Sequence, residues 1–228
     1  MHPDRIRMCV WEIPVRCTHW VNVVCIVVLS ITGYYIADPF IHAYSPRQYI
    51  MGTMRFIHFV AAYIFVMSLI TRIYWAFMGN RFASWRAFFP FTRKKLKQIA
   101  ESIRFYLLLS RRYSHILGHS ALSGIVYLVI FLLFAAQIVT GFALYSQTNH
   151  GMLWVILGGW VLHIMEAPTA RLFHHLIMWV IIAFSLLHLY MAFFIDAHER
   201  NGLMGSIFGG YKFVTRPSLL ALLKEKLE

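Results

Sequence analysis

The sequence predicts an all-α integral membrane protein: a bundle of four transmembrane helices with the N- and C-termini in the cytoplasm. Three observations carry that expectation. The 228 residues are 60% hydrophobic and only 13% charged, outside the usual range of soluble domains. Uncharged windows long enough to cross a bilayer run over about 17–37, 122–145 and 172–195, and a fourth, about 56–78, is interrupted once by Arg72. The connection from Gly79 to His119 carries nine Lys and Arg, that from Asp38 to Met54 one, and that from Ser146 to Ala170 none. That asymmetry puts the middle connection and both termini inside and the two short connections outside. Residues 1–228 read as a single membrane domain.

The net charge of +12 follows from this topology and from anionic lipid, so nucleic acid is not an expected partner. Cys9, Cys17 and Cys25 form neither CxxC nor CxxCH, which gives no support to iron–sulfur ligation or covalent c-type haem.

The first span, about 17–37, reads as retained, because Arg5 to Arg16 holds charges and a proline and no small-residue cleavage site precedes Gly33. Trp20, Tyr34 and Tyr35 stand near its ends, and Trp75, Tyr145 and Tyr190 near the ends of the others, as interfacial aromatics do. Between the second and third spans, about 94–112 alternates basic and apolar residues, which suits a helix lying on the cytoplasmic surface with its Lys and Arg toward lipid phosphate. On the periplasmic side, about 152–165 is apolar but too short to span, and predicts an interfacial or partner-covered helix.

The fourth span is the informative one. It carries His174, His175 and His188, and an imidazole in hydrocarbon needs a partner. At about 100° per residue, His174 and His188 differ by only about 40° around the helix and lie roughly 21 Å apart along it, whereas His175 points about 140° away from His188. With the N-terminus inside, His19 begins the first span at the inner side and His58 begins the second at the outer side. The pairing that follows is His58 with His174 near the outer face and His19 with His188 near the inner face. Two bis-imidazole haems stacked across the membrane fit this arrangement; with both axial positions filled, such centres carry electrons and bind no substrate. Zinc or copper does not suit ligands divided between two levels.

Arg-x-x-His recurs at Arg16–His19, Arg55–His58 and Arg171–His174. The spacing puts each Arg one turn nearer the surface on roughly the face of its His. Each is a candidate for a haem propionate, the alternative being a side chain that snorkels to headgroups. Arg72, fourteen residues after His58, reaches inner depth on the same face, toward an inner propionate or a quinone carbonyl. His119, at the inner start of the third span, is either a proton donor to a quinone or an interfacial residue. Gly33 and Gly141, in the matching triplets Thr32-Gly33-Tyr34 and Thr140-Gly141-Phe142, read as close-packing positions for a helix or a macrocycle.

PVRCTHW (14–20), MGTMRFIHF (51–59), RIYWAFMGNR (72–81), TGFALYS (140–146), and RLFHHLIMW with LLHLYMA (171–192) closely resemble the cytochrome b subunit of membrane-bound, periplasm-facing nickel–iron hydrogenases. The resemblance spans nearly the whole chain. It implies a multi-pass, four-helix protein of the bacterial inner membrane with two haem b ligated by His19, His58, His174 and His188. It also implies anchoring of the hydrogenase small (iron–sulfur) and large subunits on the periplasmic side. Electrons from H₂ would pass to menaquinone or ubiquinone near His119, with no H₂ chemistry on this chain. A gamma subunit of a formate dehydrogenase, or a free-standing di-haem cytochrome b, shares the same histidine plan. A haem-free membrane anchor or transporter is the reading from another class.

Overall fold

The computed structural model describes residues 5–41, 44–45, 48–80, 82–85, 121–199 and 202–215. Strand β1 (Arg5–Cys9) precedes helices α1 (Ile13–Ala37), α2 (Ile50–Met78), α3 (Ala121–Ser146) and the short α4 (Met152–Leu157). A 3₁₀ turn (Gly159–His163), α5 (Ala167–Glu199), α6 (Leu203–Gly209) and strand β2 (Tyr211–Thr215) follow. Helices α1, α2, α3 and α5 are long and apolar enough to cross a membrane. The amphipathic segment expected at about 94–112, and His119, lie outside the described residues.

The long helices begin before the uncharged windows do. Helix α1 starts four residues ahead of Cys17, α2 six ahead of Phe56 and α5 five ahead of Leu172, so Arg16, Arg55 and Arg171 are helical rather than flanking. An Arg stops a hydropathy window but not a helix, for its propensity is near that of Leu. Pro14 and Pro168 sit in the first turns of α1 and α5, where a missing N–H costs nothing. Helix α1 stops at Ala37, one residue before Asp38-Pro39, since a residue preceding proline is pushed out of the α region.

The described chain divides into two compact units. One comprises Thr18–Ile70 and Ile130–His188, four helical stretches around a core of Cys25, Phe65, Leu69, Ile130, Phe134 and Ile181. Phe65 and Phe134 meet edge to face at 5.0 Å, an arrangement that the ring quadrupole favours. Ser68 donates across from α2 to the Thr18 carbonyl of α1 at 3.3 Å. Outward positions such as Val27, Ile31, Met67, Leu132 and Leu186 are exposed, as hydrocarbon solvent requires. Helix α4 is seated by Trp154, which stacks on Phe142 at 5.7 Å and meets Tyr145 edge-on at 5.2 Å. The rest of the 152–165 segment presents Met152, Leu153, Ile156 and Ile164 outward.

The other unit, Met1–Cys17, Thr71–Val129 and Leu189–Glu228, contains a feature absent from the sequence expectation. β1 pairs antiparallel with β2, Arg5 opposite Thr215 and Cys9 opposite Tyr211. The Gly210 carbonyl accepts from Val10 N at 2.8 Å and Trp11 N at 3.1 Å. Gly210 has φ +85°, and a Cβ there would lie 2.7 Å from the Trp11 carbonyl oxygen, so only glycine fits. Glu12 accepts from Trp75 Nε1 at 2.8 Å and from Asn80 N at 2.9 Å, while Asn80 Nδ2 donates to the Val10 carbonyl. These bonds tie the N-terminal segment to the end of α2.

Candidate functional site

Four histidines expected to act together, His19, His58, His174 and His188, all belong to the unit of four helical stretches. His19 on α1 and His188 on α5 meet edge-on, with ring centres 6.4 Å apart and ring planes at 60°. Phe184 stacks on His188 at 5.8 Å, and Trp20 meets His19 edge-on at 5.5 Å.

His58 and His174 are held differently, each by a Thr-Gly pair on a neighbouring helix. Thr32 Oγ1 of α1 lies 2.8 Å from His58 Nδ1 and 2.7 Å from the Val28 carbonyl oxygen. Thr140 Oγ1 of α3 lies 2.9 Å from His174 Nδ1 and 2.7 Å from the Ala136 carbonyl oxygen. A hydroxyl has one proton, and a carbonyl oxygen can only accept. Each threonine therefore donates to its own helix, and its oxygen accepts from imidazole Nδ1–H. This fixes the tautomer and leaves the lone pair on Nε2 of both rings. At His174, Gln137 Nε2 also stands 3.2 Å from Nε2, while Gln137 Oε1 is buried without a hydrogen-bond partner.

The glycines complete the brackets. A Cβ on Gly33 would stand 3.3 Å from His58 Cε1 and 3.7 Å from Met178 Sδ, and one on Gly141 would stand 3.2 Å from His174 Cε1. Both glycines thus let an imidazole edge lie against a helix backbone. His175, the next residue after His174, instead meets Trp179 edge-on at 6.2 Å. Between the two histidine levels lie Phe65, seven residues beyond His58, and Ile181, seven beyond His174 and seven before His188, members of the apolar core. At about 1.5 Å per residue the core is roughly 10 Å from either level.

This donor set fits an iron porphyrin: four imidazoles within one helical unit, two of them with ring centres 6.4 Å apart and two bonded at Nδ1 by threonines. The arginines are placed as follows. Arg16 donates through Nη1 to the Phe208 carbonyl, with Nε buried and without a hydrogen-bond partner. Arg55 and Arg171 are exposed. Arg72 is buried, directs both terminal nitrogens at the Ala83 carbonyl at 3.4 Å, and lies 5.5 Å from the Tyr127 ring centre. Sequence reasoning assigned Gly33 and Gly141 to packing and passed over Thr32, Thr140 and Gln137. The repeated Thr-Gly dipeptide was the available signal for the first two.

The family described as prokaryotic cytochrome b561 matches residues 10–210. The chain is 37% identical over 211 residues to a probable Ni/Fe-hydrogenase B-type cytochrome subunit of Cupriavidus necator, covering 89% of this chain and 86% of that protein. A protein of the same name from Bradyrhizobium diazoefficiens is 37% identical over 88% of this chain and 84% of its own length. The probable Ni/Fe-hydrogenase 1 B-type cytochrome subunit of Escherichia coli is 35% identical over 89% of each. With a match that takes in all four spans and every histidine described above, the chain belongs to the prokaryotic cytochrome b561 family, multi-pass proteins of the bacterial inner membrane that carry haem b.

Proposed function

We propose that this chain is the electron-transfer and membrane-anchor subunit of an uptake nickel–iron hydrogenase, passing electrons from H₂ oxidation to the quinone pool. The observation that supports this reading is that four histidines fall in one unit of four helical stretches, with the His19 and His188 ring centres 6.4 Å apart and the His58 and His174 rings each met at Nδ1 by a threonine hydroxyl. The names of the relatives support the hydrogenase partner over a formate dehydrogenase.

His58 with His174, and His19 with His188, would each hold one haem b. Bound there, haem would supply an iron that takes up and releases one electron. The histidines orient the macrocycle, the threonines and glycines hold the His58 and His174 rings against neighbouring backbones, and the apolar core keeps water from the space between. The proposed topology puts the His58–His174 level and the 152–165 segment on the periplasmic side, where the exposed apolar residues of α4 and the 3₁₀ turn offer a surface to the small and large subunits. The His19–His188 level then lies toward the cytoplasm, near the quinone site proposed at His119. Arg16, Arg55, Arg72 and Arg171 are the proposed propionate partners. Arg16 and Arg72 would add such a role to the carbonyl contacts they already make.

The test is His188→Ala in the hydrogenase complex. The expected variant keeps one of two haems, oxidises H₂ with an artificial acceptor, and loses quinone reduction. Full quinone reduction with a single haem defeats the proposal.

A further inference from the structure

The two histidine levels are not built alike. At one, each imidazole gives its Nδ1–H to a threonine whose own proton is committed to the backbone carbonyl four residues earlier in its helix, at 2.7 Å in both cases. The two brackets match in detail: Thr-Gly on α1 against His58 of α2, and Thr-Gly on α3 against His174 of α5, with hydroxyl–nitrogen distances of 2.8 and 2.9 Å. The hydroxyl cannot turn to donate to the ring without abandoning its carbonyl, so it acts as a fixed acceptor. Among the described residues, no hydroxyl stands in this relation to His19 or His188.

An acceptor at Nδ1–H draws that proton away from the ring and raises the basicity of Nε2. A more basic axial nitrogen stabilises ferric iron more than ferrous iron, and so lowers the reduction potential. We propose that Thr32 and Thr140 are positioning residues for the haem site at His58 and His174. Each fixes the tautomer of one axial imidazole and strengthens it as a donor, and together they set that site's potential below that of the His19–His188 site. This rests on the proposed reading of the two pairs as axial ligands. Under that reading the asymmetry gives direction: the site nearer the proposed electron donor is the weaker oxidant, and the site nearer the proposed quinone is the stronger.

The test uses the intact complex carrying Thr32→Val, Thr140→Val and both together, with Thr→Ser at each position as the conservative variant. Haem content, a redox titration and the electron paramagnetic resonance of the ferric low-spin haems are read on each. Valine keeps the volume and removes the acceptor. The expected result is two haems per chain, with one potential unchanged and the other raised. The raised site shifts in its ferric–ferrous equilibrium on the order of tenfold per threonine, the scale on which outer contacts tune a metal, and tenfold is about 59 mV for one electron. The ferric signal of that haem should move, and the serine variants should stay near wild type. Should valine at either position prevent haem insertion, Thr→Ala serves as the second variant.

Unchanged potentials and signals with two haems present overturn the inference while leaving the ligand assignment standing. Serine variants that shift as far as valine also overturn it, since volume would then be the cause. Retention of both haems in His58→Ala and in His174→Ala removes the ligand assignment itself, and the inference with it.

Discussion

His174 and His175 are neighbours in sequence, yet the fold gives them different surroundings. His174 is bonded by Thr140 and approached by Gly141 and Gln137, whereas its neighbour lies against Trp179. One residue turns a helix by about 100°, which separates a ring facing α3 from one that does not. His174→Ala is therefore expected to lose one haem of two and His175→Ala to keep both, as measured by pyridine haemochrome content per chain. The reverse result would place the ligand at His175. Helical spacing from His188 already favoured His174 over His175 in the sequence, and the contacts with α3 agree with that choice. The sequence did not disclose Thr32 and Thr140 as partners. They lie 26 and 34 residues from the imidazoles they touch, and a mid-helix threonine bonded to its own carbonyl is ordinarily satisfied without a second partner.

At the scale of elements, four long apolar helices were legible because each carries its own record: a length, a hydropathy run and a bounding charge or proline. The strands were not. β1 and β2 are five residues each, and Arg-Ile-Arg-Met alternates while Tyr-Lys-Phe does so for only three residues, a period-2 pattern too brief to outweigh other readings. Their partner strands lie about two hundred residues away in the chain. The tie made by Glu12 was hidden for the same reason, since a single acid before a helix says nothing of Trp75 or Asn80. Glu12→Ala leaves the Trp75 Nε1–H and Asn80 N–H without their acceptor. A buried donor left unpaired costs about 1–3 kcal/mol, and these two, being half-buried, lie toward the lower end. The expected outcome is a lowered melting temperature in detergent, with Glu12→Gln, which keeps one acceptor oxygen, losing less. Equal melting of the Ala variant and the parent would show that this tie carries no stability.

For the whole molecule, the pairing of β1 with β2 brings the chain's first and last described segments together, which suits an even number of crossings. The proposed orientation adds a side: a reporter active only in the periplasm should work when fused after Asn149 and fail when fused after Thr215. The opposite pattern would invert the direction proposed for electron flow. By itself the sequence determined that the chain carries four helices long and apolar enough to cross a membrane and which of them bears each histidine, because a backbone in hydrocarbon must satisfy its own hydrogen bonds and a long uncharged apolar run does so as a helix. What only the tertiary structure decided is which hydroxyls meet Nδ1 of His58 and His174, what holds Arg16 and Arg72, and how the first and last described segments pair. Those depend on contacts between segments far apart in sequence, whose partners no local pattern records.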